Sequence, residues 1–133
     1  MSQSATALGR IRSVDYTVIF ARDIAAMRGF YQNIMRFPVE RELGPDWTEH
    51  RIGANILALA RPHAGTDDLP TPKGSASLQL AFRVAPDDVN RCELELRAAG
   101  VPIVSPATDQ PWGHRTLFFR DPDGNLLEIY ADI

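Results

Sequence analysis

The feature that most constrains this chain is that it reads as one pattern written twice. A β-rich run at residues 14–19 leads to Asp23, placed as a helix N-cap, and then to Ile24, Met27, Tyr31 and Ile34 at helical spacing. Pro38 disfavours further helix, and a strand can follow from Val39. The second half keeps that order. Residues 78–84 alternate as a strand, and Pro86-Asp87-Asp88 opens a helix whose apolar stripe is Val89, Cys92, Leu96 and Ala99. Gly100 stops it. The ends of the two halves also align, residues 54–60 over 124–130 at an offset of 70, while the starts align at 63, with Tyr16 over Gln79. The difference calls for extra residues in the second copy, and residues 105–113 are the natural place. Each half therefore predicts strand, helix and three further strands, at about 39–43, 47–52 and 55–60, then 101–104, 114–120 and 125–131.

These halves fit a single domain over 1–133. Module one covers about 13–61, a Pro- and Gly-rich linker about 62–76, and module two about 77–133. At 133 residues with 44% hydrophobic and 23% charged side chains, the chain can bury one core. A net charge of −3 offers no basic face for nucleic acid and no polybasic membrane anchor. One Cys excludes an internal disulfide framework and a Cys-based zinc site. With no apolar run of membrane-spanning length and no signal-peptide pattern in residues 1–13, the expectation is a soluble, cytoplasmic protein. No Gly-rich phosphate loop, Ser nucleophile elbow or His-Glu-x-x-His pair occurs. The strong turn signal is Asp121-Pro122-Asp123-Gly124-Asn125, between the last two strands.

A doubled βαβββ unit, with Phe30-Tyr31 near the end of its first helix and Asp121-Pro122-Asp123-Gly124-Asn125 followed by Leu126-Leu127-Glu128, resembles the glyoxalase/bleomycin-resistance/extradiol-dioxygenase (vicinal oxygen chelate) superfamily. The resemblance implies an α+β fold, two modules forming a half-open, curved eight-stranded sheet with helices on the convex side and a ligand on the concave side. It also implies a homodimer. Metal-binding relatives take ligands from the first and last strands of each module. Carried over, those positions are Tyr16, just after Asp15 where such relatives place His, with Ala58, Gln79 and Glu128. Ala58 cannot coordinate through its side chain, and Tyr is a rare ligand for such a metal because its phenol must lose a proton near ~10. Any divalent metal would fall to Glu128 and Gln79, short of the usual three protein ligands.

Strand parity, read without the family, puts Leu78, Leu80 and Phe82 toward the helices and Gln79, Ala81 and Arg83 on the concave side. In the last strand Leu127 and Ile129 face the helices, and Leu126, Glu128 and Tyr130 the cavity. The candidate site is thus Glu128 and His114 as acid/base groups, with Tyr16, Trp47, Gln79, Arg83 and Trp112 as ligand contacts. The bland alternatives are a structural Glu128–Arg83 pair, a satisfied Gln79 amide and a merely hydrogen-bonded strand histidine at 114. His63 lies in the linker, which has room to fold over the cavity as a lid, and is not counted among the site residues; Cys92 on its apolar stripe reads as an inert buried thiol. The reading is a small-molecule-binding member with a degenerate metal site, binding an aromatic or hydrophobic compound in the concave cavity or acting on it without metal. The alternative is a divalent-metal-dependent lyase, isomerase or dioxygenase of the vicinal oxygen chelate type.

Overall fold

The computed structural model describes residues 6–62, 68–69, 71–72 and 74–133; His63 lies outside them. Module one runs β1 (Tyr16–Phe20), α1 (Ile24–Gly29), β2 (Val39–Glu42), β3 (Trp47–Ile52) and β4 (Asn55–Ala60). Module two runs β5 (Gln79–Arg83), α2 (Pro86–Ala98), β6 (Ile103–Asp109), β7 (His114–Arg120) and β8 (Leu126–Asp132). The two sheets share one topology, β1-β4-β3-β2 and β5-β8-β7-β6, each with its first strand parallel to its last. The eight strands are divided between two four-stranded sheets, with β1 and β5 each an edge strand.

Register bears out the repeat residue by residue. Tyr16 pairs with Ile56 as Gln79 pairs with Leu126, which reproduces both offsets, 63 and 70. Val39 pairs with His50 and Ile103 with Phe119, so the offset grows from 64 to 69 (103 − 39 and 119 − 50) between β6 and β7. Most of the extra residues therefore fall where expected, and they lengthen β6 to Asp109.

The helices differ from expectation in two places. The first helix widens into a π-helical segment, Phe30–Ile34, in which the Met35 N–H donates to the Phe30 carbonyl five residues back at 3.0 Å. The wider turn adds Phe30 to the buried face beside Tyr31, their rings meeting edge to face at 5.1 Å. At the other helix, Val89 and Leu96 are buried and Cys92 half-buried, but Ala99 is exposed because the helix has already ended at Ala98. Asp23 caps α1 as read, accepting from the Ala26 N–H at 3.0 Å.

One core serves both modules. Met27, Tyr31, Leu57 and Leu59 from module one cluster with Val89, Leu117, Phe119 and Leu127 from module two. The modules are also joined by polar groups. The Tyr31 hydroxyl donates to Asp121 Oδ2 at 2.7 Å, and Asp121 Oδ1 accepts from the N–H groups of Asp123 and Asn125 at 3.0 Å each. The Asn125 side-chain amide completes the set at 2.9 Å. Asp123 in turn accepts the Arg22 N–H at 2.7 Å, while the Arg22 guanidinium reaches the Asp123 carbonyl and the Thr71 carbonyl. Residues 121–125, read in sequence as a turn, are thus also the joint between modules. Burial first, and then the Asp121 carboxylate, push the Tyr31 phenol far above its ordinary pKa, so it stays a donor.

Removing one partner from a buried polar set costs the desolvation of what remains. Tyr31→Phe is expected to destabilise the chain by about 1–2 kcal/mol in urea unfolding. Asp121→Ala, which strips the Tyr31 hydroxyl and two backbone donors together, is expected to cost roughly 3 kcal/mol or more. An Asp121→Ala cost no larger than that of half-exposed Asp88→Ala would contradict the clamp.

Candidate functional site

Each sheet turns one face to the core and leaves the other open, and parity decides which side chains stand on it. On the second sheet the open face carries Gln79, Ala81 and Arg83 from β5, and Glu128, Tyr130 and Asp132 from β8. Phe118, Thr116 and His114 come from β7. The inward residues Leu127, Ile129 and Leu117 are buried, whereas Gln79 and Arg83 are exposed and Glu128 and Tyr130 half-buried. The parity reading therefore holds for every residue of β5 and β8 it assigned.

The structure brings six of these groups into contact, in a set of two and a set of four. Gln79 donates through Nε2 to Glu128 Oε1 at 3.2 Å. Arg83 is ion-paired with Asp132 and lies over the Tyr130 ring, its guanidinium carbon 4.9 Å from the ring centroid. The hydrogen bond to Asp132 raises the Arg83 pKa further and keeps its charge fixed. His114 Nε2 approaches the other Asp132 oxygen at 3.2 Å, and its ring packs on Tyr130 at 4.8 Å. The structural Glu128–Arg83 pair weighed from sequence is not what forms. Arg83 stands opposite Tyr130 in register and reaches on to Asp132, whereas Glu128 stands opposite Ala81 and takes the diagonal Gln79.

The other expected contacts lie elsewhere. Tyr16 and Trp47 meet on the open face of the first sheet, edge to face at 6.5 Å, and the Trp47 indole N–H donates to Glu49 Oε2 at 2.8 Å. Trp112 is 64% exposed in the β6–β7 turn, so it walls neither cluster tightly. A cleft of about 430 Å³ lies where β1 meets the linker, lined by Val18, Phe20, Arg22, Leu69, Leu78 and Asn125 among others, rather than over Gln79 and Glu128.

His50 is a core residue. Its Nδ1 faces the Phe37 carbonyl at 3.4 Å, which can only accept, so Nδ1 carries the proton and Nε2 accepts from the Thr48 hydroxyl at 3.1 Å. Burial lowers its pKa. Cys92 is half-buried with its thiol pKa raised by burial, as an inert thiol requires.

Sequence reasoning missed Glu49, Asp132 and Phe118. The run Thr48-Glu49-His50-Arg51 is polar at every position, so alternation carries no signal there.

The donor set can be tested against the divalent metal that the resemblance implies. Gln79 and Glu128 are two oxygen donors side by side, Val18 and Glu49 flank Ala58 in register, and Tyr16 packs on Trp47. Among the described residues no group of three or more His, Cys, Asp or Glu side chains is placed to hold a metal ion. Among the described residues, the positions Tyr16, Ala58, Gln79 and Glu128 do not supply three ordinary ligands for a catalytic divalent ion.

The model of the Glyoxalase/Bleomycin resistance protein/Dioxygenase superfamily matches residues 13–129. The chain belongs to that superfamily. It is 27% identical over 126 residues to the uncharacterized protein YaeR of Escherichia coli (strain K12), covering 90% of this chain and 96% of YaeR. A glyoxalase/bleomycin resistance protein/dioxygenase from Nocardioides superposes with a TM-score of 0.82 at 22% identity, over 98% of this chain and 89% of that one. A lactoylglutathione lyase from Agrobacterium tumefaciens gives 0.73 at 21%, over 90% and 92%. At these identities the solved structures establish the fold alone. No helix among the described residues is long and apolar enough to cross a membrane.

Two outcomes follow. Because Arg83 is neutralised by Asp132, Glu128→Gln strands no cation and is expected to change stability by less than about 0.5 kcal/mol in urea unfolding. A loss of several kcal/mol would mean a structural carboxylate. His50 has a folded pKa below its unfolded one, so the unfolded chain binds its proton first. Stability should fall as pH drops below the unfolded pKa, about 6.5, and His50→Gln should flatten that part of the profile, read as unfolding midpoints between pH 8 and 5.

Proposed function

We propose that this chain binds a small aromatic or hydrophobic molecule on the open face of its second sheet. In this reading its own side chains hold the ligand and the metal site is degenerate. The observation that carries the proposal is Glu128. It is a half-buried carboxylate on an open face that forms no ion pair among the described residues and is held only by the Gln79 amide. A carboxylate in that setting is costly unless a further hydrogen-bond donor or charge meets it. Tyr130 and Phe118 supply ring surface beside it, and Arg83, fixed by Asp132, supplies a stationary positive charge. His114, with Nε2 engaged by Asp132, presents Nδ1 for proton exchange with a bound molecule.

The solved relatives include one called a lactoylglutathione lyase. A metal-dependent reaction of that type is the rival reading, and the two-donor set argues against it. A homodimer and a cytoplasmic location belong to the same proposal. The edge strands β1 and β5, with Tyr16 51% and Phe20 50% exposed, are surfaces that a second copy could cover.

Titration with catechol, a flat ring bearing two donors, tests the site. Backbone amide shifts are expected to cluster at Gln79, Arg83, Glu128 and Tyr130. Glu128→Gln is expected to weaken binding about tenfold, equivalent to about 1.4 kcal/mol. Shifts confined to other parts of the chain, or binding unaltered by Glu128→Gln, would reject this reading. Sedimentation showing only monomer at high concentration would reject the dimer.

A further inference from the structure

The ten residues before the first strand carry an apolar stripe that nothing in this chain covers. Residues 6–15 are exposed throughout, and Leu8, Ile11 and Val14, which recur every third residue, are 81%, 70% and 81% exposed. One 3-10 turn, Leu8–Arg10, suits that period. Arg10 and Arg12 alternate with the stripe, and no acid precedes Asp15, so this arm is both apolar and basic.

Where the first helix meets the end of α2, the fold leaves an open apolar groove of about 330 Å³. Phe30 and Val101 form its buried floor, and Ile34, Pro102 and Val104 its walls, with Val104 52% exposed. Phe30 and Ile34 are the two ends of the π-helical segment, a rare turn that recurs at functional sites. Ala99 lines the groove as well, and its N–H donates to the Glu95 carbonyl at 3.0 Å, so Glu95 stands one helical turn away. Glu95 is exposed and forms no ion pair among the described residues, and the same is true of Arg12. Arg120, at the edge of the groove, is turned to the Gly124 carbonyl at 3.0 Å.

Charge and connectivity together say what fills the groove. Residues 77–133 hold nine Asp or Glu against five Arg, a net charge of −4, whereas residues 6–14 hold two Arg and no acid. The arm runs directly into β1, whose Tyr16 and Phe20 are the surface that a second copy covers in the homodimer proposed above. Ten residues span at most about 33–36 Å, enough to pass from that surface onto the other copy. We infer that residues 6–15 of each copy dock on the other, with Leu8 and Ile11 in the groove over Phe30 and Val101 and Arg12 against Glu95. This assignment rests on the homodimer reading. The exchange is reciprocal, so two identical contacts close the dimer.

Sedimentation equilibrium of the full chain at low ionic strength tests it. Leu8→Ser and Ile11→Ser are each expected to raise the dimer dissociation constant at least about tenfold. Leu94→Ser, an exposed leucine of α2 outside the groove, should leave it unchanged. Arg12→Glu alone and Glu95→Arg alone should each weaken the dimer about tenfold, since each sets like charges together at both contacts. An equimolar mixture of these two variants should recover the original dissociation constant, because both contacts of the mixed dimer again join opposite charges. An arm folded into its own groove would gain nothing from mixing. Circular dichroism checks folding, and if Glu95→Arg fails to fold, Glu95→Gln must weaken the dimer at low but not at high ionic strength. A dimer indifferent to Leu8→Ser and Ile11→Ser, or no recovery on mixing, would overturn the arm assignment and leave the homodimer standing. A chain that sediments only as monomer would overturn both. None of these variants touches the open face that carries Glu128, so catechol binding there is tested separately.

Discussion

The hydrogen bond from Tyr31 to Asp121 is the contact on which the rest of the structure depends. It crosses from the first helix of one module to the turn between the last two strands of the other, inside the protein. A buried carboxylate is tolerated only when its lone pairs are filled, and Asp121 meets that condition with the phenol, two backbone N–H groups and one amide. Asp123, two residues on, repeats the device toward Arg22 and Asp23. One short turn therefore fixes both its own hairpin and the placement of module one against module two. Among the described residues no buried side-chain nitrogen or oxygen lacks a partner.

With the modules joined through their inner faces, both sheets keep their outer faces free. Each then carries one half-buried carboxylate held by a neutral N–H donor, Gln79 for Glu128 and Trp47 for Glu49. The acids sit on different strands of the repeated unit, and their surroundings differ accordingly. The second sheet places a fixed cation, Arg83, and a histidine beside its acid, whereas the first places two aromatic rings. The repeat conserves backbone geometry and leaves the chemistry of each face to a few side chains, which is why fold alone does not specify function.

Much of this was legible in the chain itself, for identifiable reasons. The strands β3, β4 and β7 fall at the residues that the repeat and the turn signals mark, and Gln79 and Glu128 share a face because a period of two admits only one other arrangement. The internal offsets correctly gave the cross-strand partners Tyr16–Ile56 and Gln79–Leu126 as equivalents. What stayed hidden depended on contacts distant in sequence. Nothing local marks Asp121 as the acceptor for a phenol 90 residues earlier, and its Pro-Asp-Gly setting accounts for a turn without it. The π-helical segment was also unreadable, since its apolar residues fit an ordinary helix equally well. Glu49 escaped because its neighbours on both faces are polar, and of the two carboxylates diagonal to Arg83, the alternative weighed from sequence named Glu128, whereas Asp132 takes the ion pair and Glu128 takes Gln79.

The central claim is that this member of the superfamily meets its ligand with side chains alone, the positions equivalent to metal ligands being Tyr16, Ala58, Gln79 and Glu128. Elemental analysis of protein purified without chelator tests it most directly. The account predicts Mn, Fe, Ni and Zn each far below one equivalent per chain, unchanged by Glu128→Gln. Near-stoichiometric content of any of them, lost in Glu128→Gln, would contradict it.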